Sequence, residues 1–172
     1  LSLNDNKHHI HGGKKGFSKN IWKIENIENK SNYLKCTLSY FSKHLEEGYP
    51  GNLNCLATYI LDNDNNIKIE FSAIGDQDTI VNMTNHNYWN FHGHKDYYQN
   101  INQHYICIKS DFINELDSNY LPTGKLLKVE KSKYNLKKLT KIDNNLLSED
   151  GIDTCYLINK TKNVKQVAKV YS

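Results

Sequence analysis

Val81-Asn82-Met83-Thr84-Asn85-His86-Asn87-Tyr88-Trp89-Asn90-Phe91-His92-Gly93-His94 is the stretch around which the chain is organised. Its first half predicts a β-strand. At a period of two, Asn82, Thr84 and His86 share one face and Val81, Met83 and Asn85 share the other. A face of amide, hydroxyl and imidazole is costly to bury unless something hydrogen-bonds it. A ligand rich in hydroxyls would meet that need, with His86 as the group that handles protons. The plainer alternative is the solvated outer face of an ordinary antiparallel strand, with the aromatics turned to a core.

The flanking sequence is read the same way. Residues 1–9 predict a strand end and a turn. Residues 20–25, 33–40, 53–61, 67–73, 105–109, 125–130, 153–159 and 163–171 predict further strands. The clearest alternation is Leu34, Cys36, Leu38 and Tyr40 against their polar neighbours. Asp62-Asn63-Asp64-Asn65-Asn66 is hairpin turn chemistry, and residues 117–124 also predict a turn. No segment carries a sustained helical stripe, so the fold class is all-β, a meander of antiparallel strands.

At 172 residues the chain is about one domain long. It is 38% hydrophobic with a mean hydropathy of −0.73, and all 22 of its basic residues are lysine. Lysine lacks the rigid fork with which arginine grips carboxylate or phosphate. Net charge is +3, and the lysine-rich residues 125–141 read as solvated surface, so no nucleic-acid partner is expected. No apolar run has the length of a membrane helix and no leader pattern is present, so no membrane partner is expected. Cys36, Cys55, Cys107 and Cys155 stand singly in strand-like runs, which predicts buried free thiols and a reducing, cytoplasmic setting.

His8-His9-Ile10-His11-Gly12-Gly13 is the second cluster of chemistry. The glycines permit close backbone approach, and His11 stands at the lip of it. A metal site drawing on His8, His9, His11, His92 and His94 would need a carboxylate or cysteine partner that the spacing does not supply. No metal and no cofactor are expected.

Five blocks in order resemble the aldose 1-epimerase (galactose mutarotase) family. They are His11-Gly12-Gly13-Lys14-Lys15-Gly16-Phe17, then Glu46-Glu47-Gly48-Tyr49-Pro50-Gly51-Asn52-Leu53, then residues 81–90. Leu121-Pro122-Thr123-Gly124 and Gly151-Ile152-Asp153 follow. The resemblance implies a large antiparallel β-sandwich of the galactose mutarotase type, of which residues 1–172 would be one incomplete domain. It implies an isomerase that interconverts the α and β anomers of a free aldohexose such as glucose or galactose, a small-molecule partner, without a cofactor. His86 would be the general acid, His11 a catalytic and sugar-binding histidine, and Asp153 a ligand of sugar hydroxyls.

The chain also departs from that pattern. His8 stands where asparagine is common, Trp89 where phenylalanine is usual, and Thr154 where histidine often follows the aspartate. The family's general-base glutamate lies beyond the part that residues 164–172 resemble, and its sugar-binding arginine lies ahead of residues 1–13. The chain therefore reads as the central part of the domain, truncated at both ends. A catalytically incomplete carbohydrate-binding remnant is the second reading. A sugar-6-phosphate epimerase is a third, disfavoured by the missing arginine. Oligomeric state is not legible.

Overall fold

The computed structural model describes residues 1–93, 101–144, 146–147 and 151–172. The chain forms two compact units, Leu1–Asn87 and Tyr88–Ser172.

The first unit is a four-stranded antiparallel meander: β1 (Lys23–Asn29), β2 (Tyr33–Ser42), β3 (Leu53–Asp62) and β4 (Ile67–Gly75), in that spatial order. Local turns fix its register. Between β3 and β4 the Asp62 carboxylate accepts the backbone N–H groups of Asp64 and Asn66, each at 2.9 Å, and the Asn66 amide at 2.9 Å. These bonds, led by the Asn66 side chain, hold its carboxyl below the usual range. Asn65 supplies the left-handed residue of that turn, at φ 62°.

Register then sorts side chains onto two unlike faces. Leu38, Ala57 and Phe71 lie abreast, as do Tyr40, Cys55 and Ala73 on one side of that row and Cys36, Tyr59 and Ile69 on the other. This is the apolar face, where Cys55 is 1% and Ala57 4% exposed. Burial pushes the Cys55 thiol up to about 11. The opposite face is polar, with Lys35 paired to Glu28 at 2.8 Å and Thr37 bonded to Thr58 at 3.2 Å.

Strand β1 begins at Lys23, later than residues 20–25 predict. The reason is local: Phe17–Lys19 is a short 3-10 turn, and the Trp22 indole N–H donates back to the Phe17 carbonyl at 2.9 Å. The ladder between β1 and β2 shifts by one residue between Ile24 and Asn26. The displaced Glu25 receives the Ser39 hydroxyl at 2.6 Å and pairs with Lys23 at 3.0 Å.

Among its described residues, the second unit holds two three-stranded antiparallel sheets. It comprises β5 (Tyr105–Ile108), β6 (Phe112–Leu116), β7 (Pro122–Lys128), β8 (Thr140–Lys141), β9 (Tyr156–Leu157) and β10 (Ala168–Tyr171). The sheets run β10-β5-β8 and β7-β6-β9. Leu136, Ile142 and Leu146 form a core backed by Ile106, Ile108, Ile152 and Tyr156. The strands expected over 153–159 and 163–171 shorten to the few residues that find a ladder partner. The turn expected over 117–124 closes sooner, because the Asp117 carboxylate accepts Asn119 and Leu121 N–H, and β7 starts at Pro122. Strands β6 and β8 escape the alternation pattern. In β6 the apolar Phe112 and Ile113 are adjacent, and β8 is two residues long.

Two further expectations are corrected. Residues 78–90 form no strand, although Met83 and Asn85 are half-buried while Asn82, Thr84 and His86 are exposed, in keeping with a two-residue period. A ladder needs a neighbouring strand, and no strand among the described residues pairs with this segment. The thiols are free but not uniformly buried: Cys55 is enclosed, Cys36 and Cys107 are half-buried, and Cys155 is exposed. No helix among the described residues is long and apolar enough to cross a membrane.

The faces of β3 make opposite mutational predictions. Ala57→Leu crowds a closed point of the apolar face and should cost about 1–3 kcal/mol in urea unfolding. Leu56→Ser on the exposed face should change stability by less than about 0.5 kcal/mol. Equal effects would refute the assignment of faces.

Candidate active site

His11 sits in a turn that the sequence around it cannot relax. Its own φ is 53°, and Gly12 and Gly13 follow at 81° and 93°, a run that favours glycine wherever it is allowed. Asn4 brackets one side, with its side-chain oxygen accepting Ile10 N–H at 2.9 Å and its amide donating to the carbonyls of Ile10 and Gly13. Glu47 closes the other side. Its carboxylate accepts Lys14 N–H at 3.1 Å and Lys15 N–H at 2.6 Å. A Cβ on Gly13 would overlap that carboxylate, so the close approach the glycines permit is used by Glu47.

Glu47 therefore links the Glu46–Asn52 block to the His11 block. The Lys15 N–H, followed by the Ser2 hydroxyl and the Lys14 N–H, holds its carboxyl below the usual range. Glu47 itself adopts φ 50°, and the flanking Gly48 has φ 89°. The adjacent glutamate turns to the sheet instead, where Glu46 accepts the Tyr40 hydroxyl at 2.8 Å. Burial, then this bond, pushes the Tyr40 phenol up to about 12.

The three neighbouring histidines divide sharply in role. His9 has both ring nitrogens committed. Nδ1–H donates to the Ser2 carbonyl at 2.6 Å, so Nε2 accepts the Tyr49 hydroxyl at 2.7 Å. His8 closes a bridge with Asp5. His11 remains exposed, and its ring meets that of His86 edge to face, with centroids 5.3 Å apart and planes at 90°. Two imidazoles far apart in sequence are thus in contact at an exposed surface. Imidazole carries both an N–H donor and a nitrogen acceptor, which suits it to a polyol.

Asp153 belongs to the second unit. It is exposed beside Thr154 on an open groove of about 400 Å³, lined also by Glu115, Tyr120 and Tyr134. Among the described residues, no group of three or more His, Cys, Asp or Glu side chains is arranged to hold a metal ion. His94, one member of the metal reading, lies outside the described residues. The lysine-rich segment is partly neutralised at Lys137, which pairs with Asp111 at 2.7 Å.

The sequence model of the aldose 1-epimerase family matches residues 1–172. The chain belongs to that family. It is similar to the aldose 1-epimerase of Haemophilus influenzae, 32% identical over 165 residues that make up 93% of this chain and 47% of that protein. It is similar also to the galactose mutarotase of Homo sapiens, 31% identical over 173 residues, covering 99% of this chain and 48% of that one. Among solved structures, galactose 1-epimerase from Lactobacillus acidophilus superposes with a TM-score of 0.85 at 28% identity, over 99% of this chain and 50% of that one. The chain spans about half the length of the curated relatives it matches. The all-β antiparallel class is therefore that of the galactose epimerase structures.

Asn4 and Glu47 were not legible as parts of the site. Glu47 stands inside a matched block, but nothing in its local sequence says that its carboxylate reaches the Lys14 and Lys15 N–H groups.

Because the folded Glu47 carboxyl is held low, its support of the turn is complete above ~4.3, where an unfolded glutamate titrates. It is lost as pH falls through the lower folded value. Amide resonances of Gly12–Lys15 should move together on acidification through that range, and Glu47→Ala should produce the same shifts at neutral pH. Unmoved resonances in Glu47→Ala would show that the turn does not depend on the carboxylate.

Proposed function

We propose that the chain is the central part of an aldose 1-epimerase domain that opens and recloses the ring of a free aldohexose, glucose and galactose being the substrates in view. The observation that carries this reading is the contact between His11 and His86, joining two blocks that match the family. His86 is the general acid: its imidazolium gives a proton to the ring oxygen as the C1–O5 bond breaks. His11 holds the sugar near that oxygen, and Asp153 accepts hydrogen bonds from its hydroxyls. A base removes the proton of the anomeric hydroxyl, the carbonyl end rotates about C1–C2, and reversal gives the other anomer. Electrons and protons balance without a redox partner, so no cofactor is invoked.

The base is not assigned to any residue of this chain. The second reading is a catalytically incomplete carbohydrate-binding remnant of the same family. The ligand in either case is a small sugar rather than nucleic acid or a membrane. Free thiols at all four cysteines support a reducing, cytoplasmic setting.

Polarimetry of freshly dissolved α-D-glucose and α-D-galactose separates the two. Acceleration above the spontaneous rate, cut by a factor on the order of 10² in His86→Asn, is the expected outcome for an enzyme using His86 as its acid. Unchanged acceleration in the variant would remove His86 from the role. No acceleration by a folded chain that still binds galactose would support the remnant.

A further inference from the structure

His104 is 1% exposed, the most enclosed imidazole among the described residues, and no step above uses it. It is anchored by its own backbone: its N–H donates to Ile101 O at 2.8 Å and its carbonyl accepts Ile142 N–H at 2.8 Å. Its side-chain Nε2 accepts the backbone N–H of Phe91 at 3.0 Å. A nitrogen that accepts an N–H is bare, so the proton of the neutral ring is on Nδ1. That Nδ1 is buried without a partner. An unpartnered buried N–H is a cost that a leucine of similar size would avoid. What the histidine supplies and a leucine would not is the acceptor for Phe91.

Phe91 directly follows the block that matches the family, a few residues beyond His86, in a segment with little else to define it. Gly93 N–H returns to Asn90 O at 3.0 Å, and His92 N–H meets the Asn90 side chain at 3.0 Å. The His92 ring stands edge to face on His104 at 4.7 Å. The rings of Trp89 and Phe91 stack at 6.3 Å and 17°, although they are 59% and 52% exposed. A stacked aromatic pair kept in solvent presents a flat apolar surface.

We propose that His104 is a positioning residue: through Nε2 it fixes the Phe91 backbone, and so holds the Trp89–Phe91 pair outward as the surface met by the apolar face of the sugar. The consequence for the sugar rests on the epimerase reading; the tether does not. Loss of the acceptor frees the Phe91 N–H and lets the pair turn inward, whereas glutamine, with a carbonyl oxygen, restores the acceptor.

The test uses the whole 15N-labelled chain, wild type, His104→Gln and His104→Leu. Imidazole 15N–1H correlation in the wild type should show His104 neutral with Nε2 bare; a proton on Nε2 would overturn the assignment. The Phe91 amide should exchange about tenfold faster in His104→Leu and return towards wild type in His104→Gln. Unchanged exchange at Phe91, with Val129 and Ile108 amides still protected, would also overturn it. Should the leucine variant unfold the unit, shown by loss of those two amides, the wild-type tautomer and the glutamine variant decide. Calorimetric titration with D-galactose then reads the consequence. Weaker binding in His104→Leu, restored in His104→Gln, supports it, and equal binding with Phe91 released overturns it. A wild-type chain that takes up no galactose sinks the epimerase reading and leaves the tether judged by exchange and tautomer alone.

Discussion

The carboxylate of Glu47 is the interaction on which the first unit's chemistry depends. A backbone run with three consecutive positive φ values has no strand or helix to stabilise it, and the Lys14 and Lys15 N–H groups that follow it need partners from elsewhere. Glu47 supplies two acceptor oxygens at once, and being charged it makes the stronger kind of hydrogen bond. Its place on the loop between β2 and β3 ties the His11 turn to the most regular part of the sheet. A turn bearing a histidine is thereby tied to a ladder that carries no functional side chain of its own.

The sheet gives that support because its faces are so unlike. One is a continuous apolar surface, the other a lattice of ion pairs and hydroxyl contacts. A slip of one residue would exchange them, so register is strongly specified. Phe17, Trp22 and Tyr40 pack edge to face or tilted against one another, with Trp22 N–H and Tyr40 O–H both satisfied. Aromatic bulk over the sheet and polar tips in bonds let the N-terminal segment be both packed and hydrogen-bonded.

The sequence was most legible where structure is local. Strands β2 and β4 alternate cleanly, β3 is a largely apolar run between them, and each lies beside the next. The second unit was read less well because its ladders are short and join distant segments, as β5 does with β10. Residues 81–90 show a different limit: alternation reports which way side chains point, not whether a neighbouring strand exists. His11 and His86 were singled out from their motif blocks, and they do touch. The supports were hidden. Asn4, Glu47 and His104 act through side-chain polar atoms on backbone groups, and such bonds leave no periodic trace.

The displaced residue in β1 gives the four-stranded sheet two unlike margins. At that border the ladder is broken at Ile24–Asn26, and Lys23, Glu25 and Glu28 crowd it with charge, features that discourage another chain from docking by backbone hydrogen bonds. The β4 border runs unbroken from Ile67 to Gly75 against β3, with Lys68 and Glu70 as its charged side chains. Among the described residues the sheet is therefore directional with respect to growth: extension is discouraged at its first strand, and the regular backbone of its last suits it better.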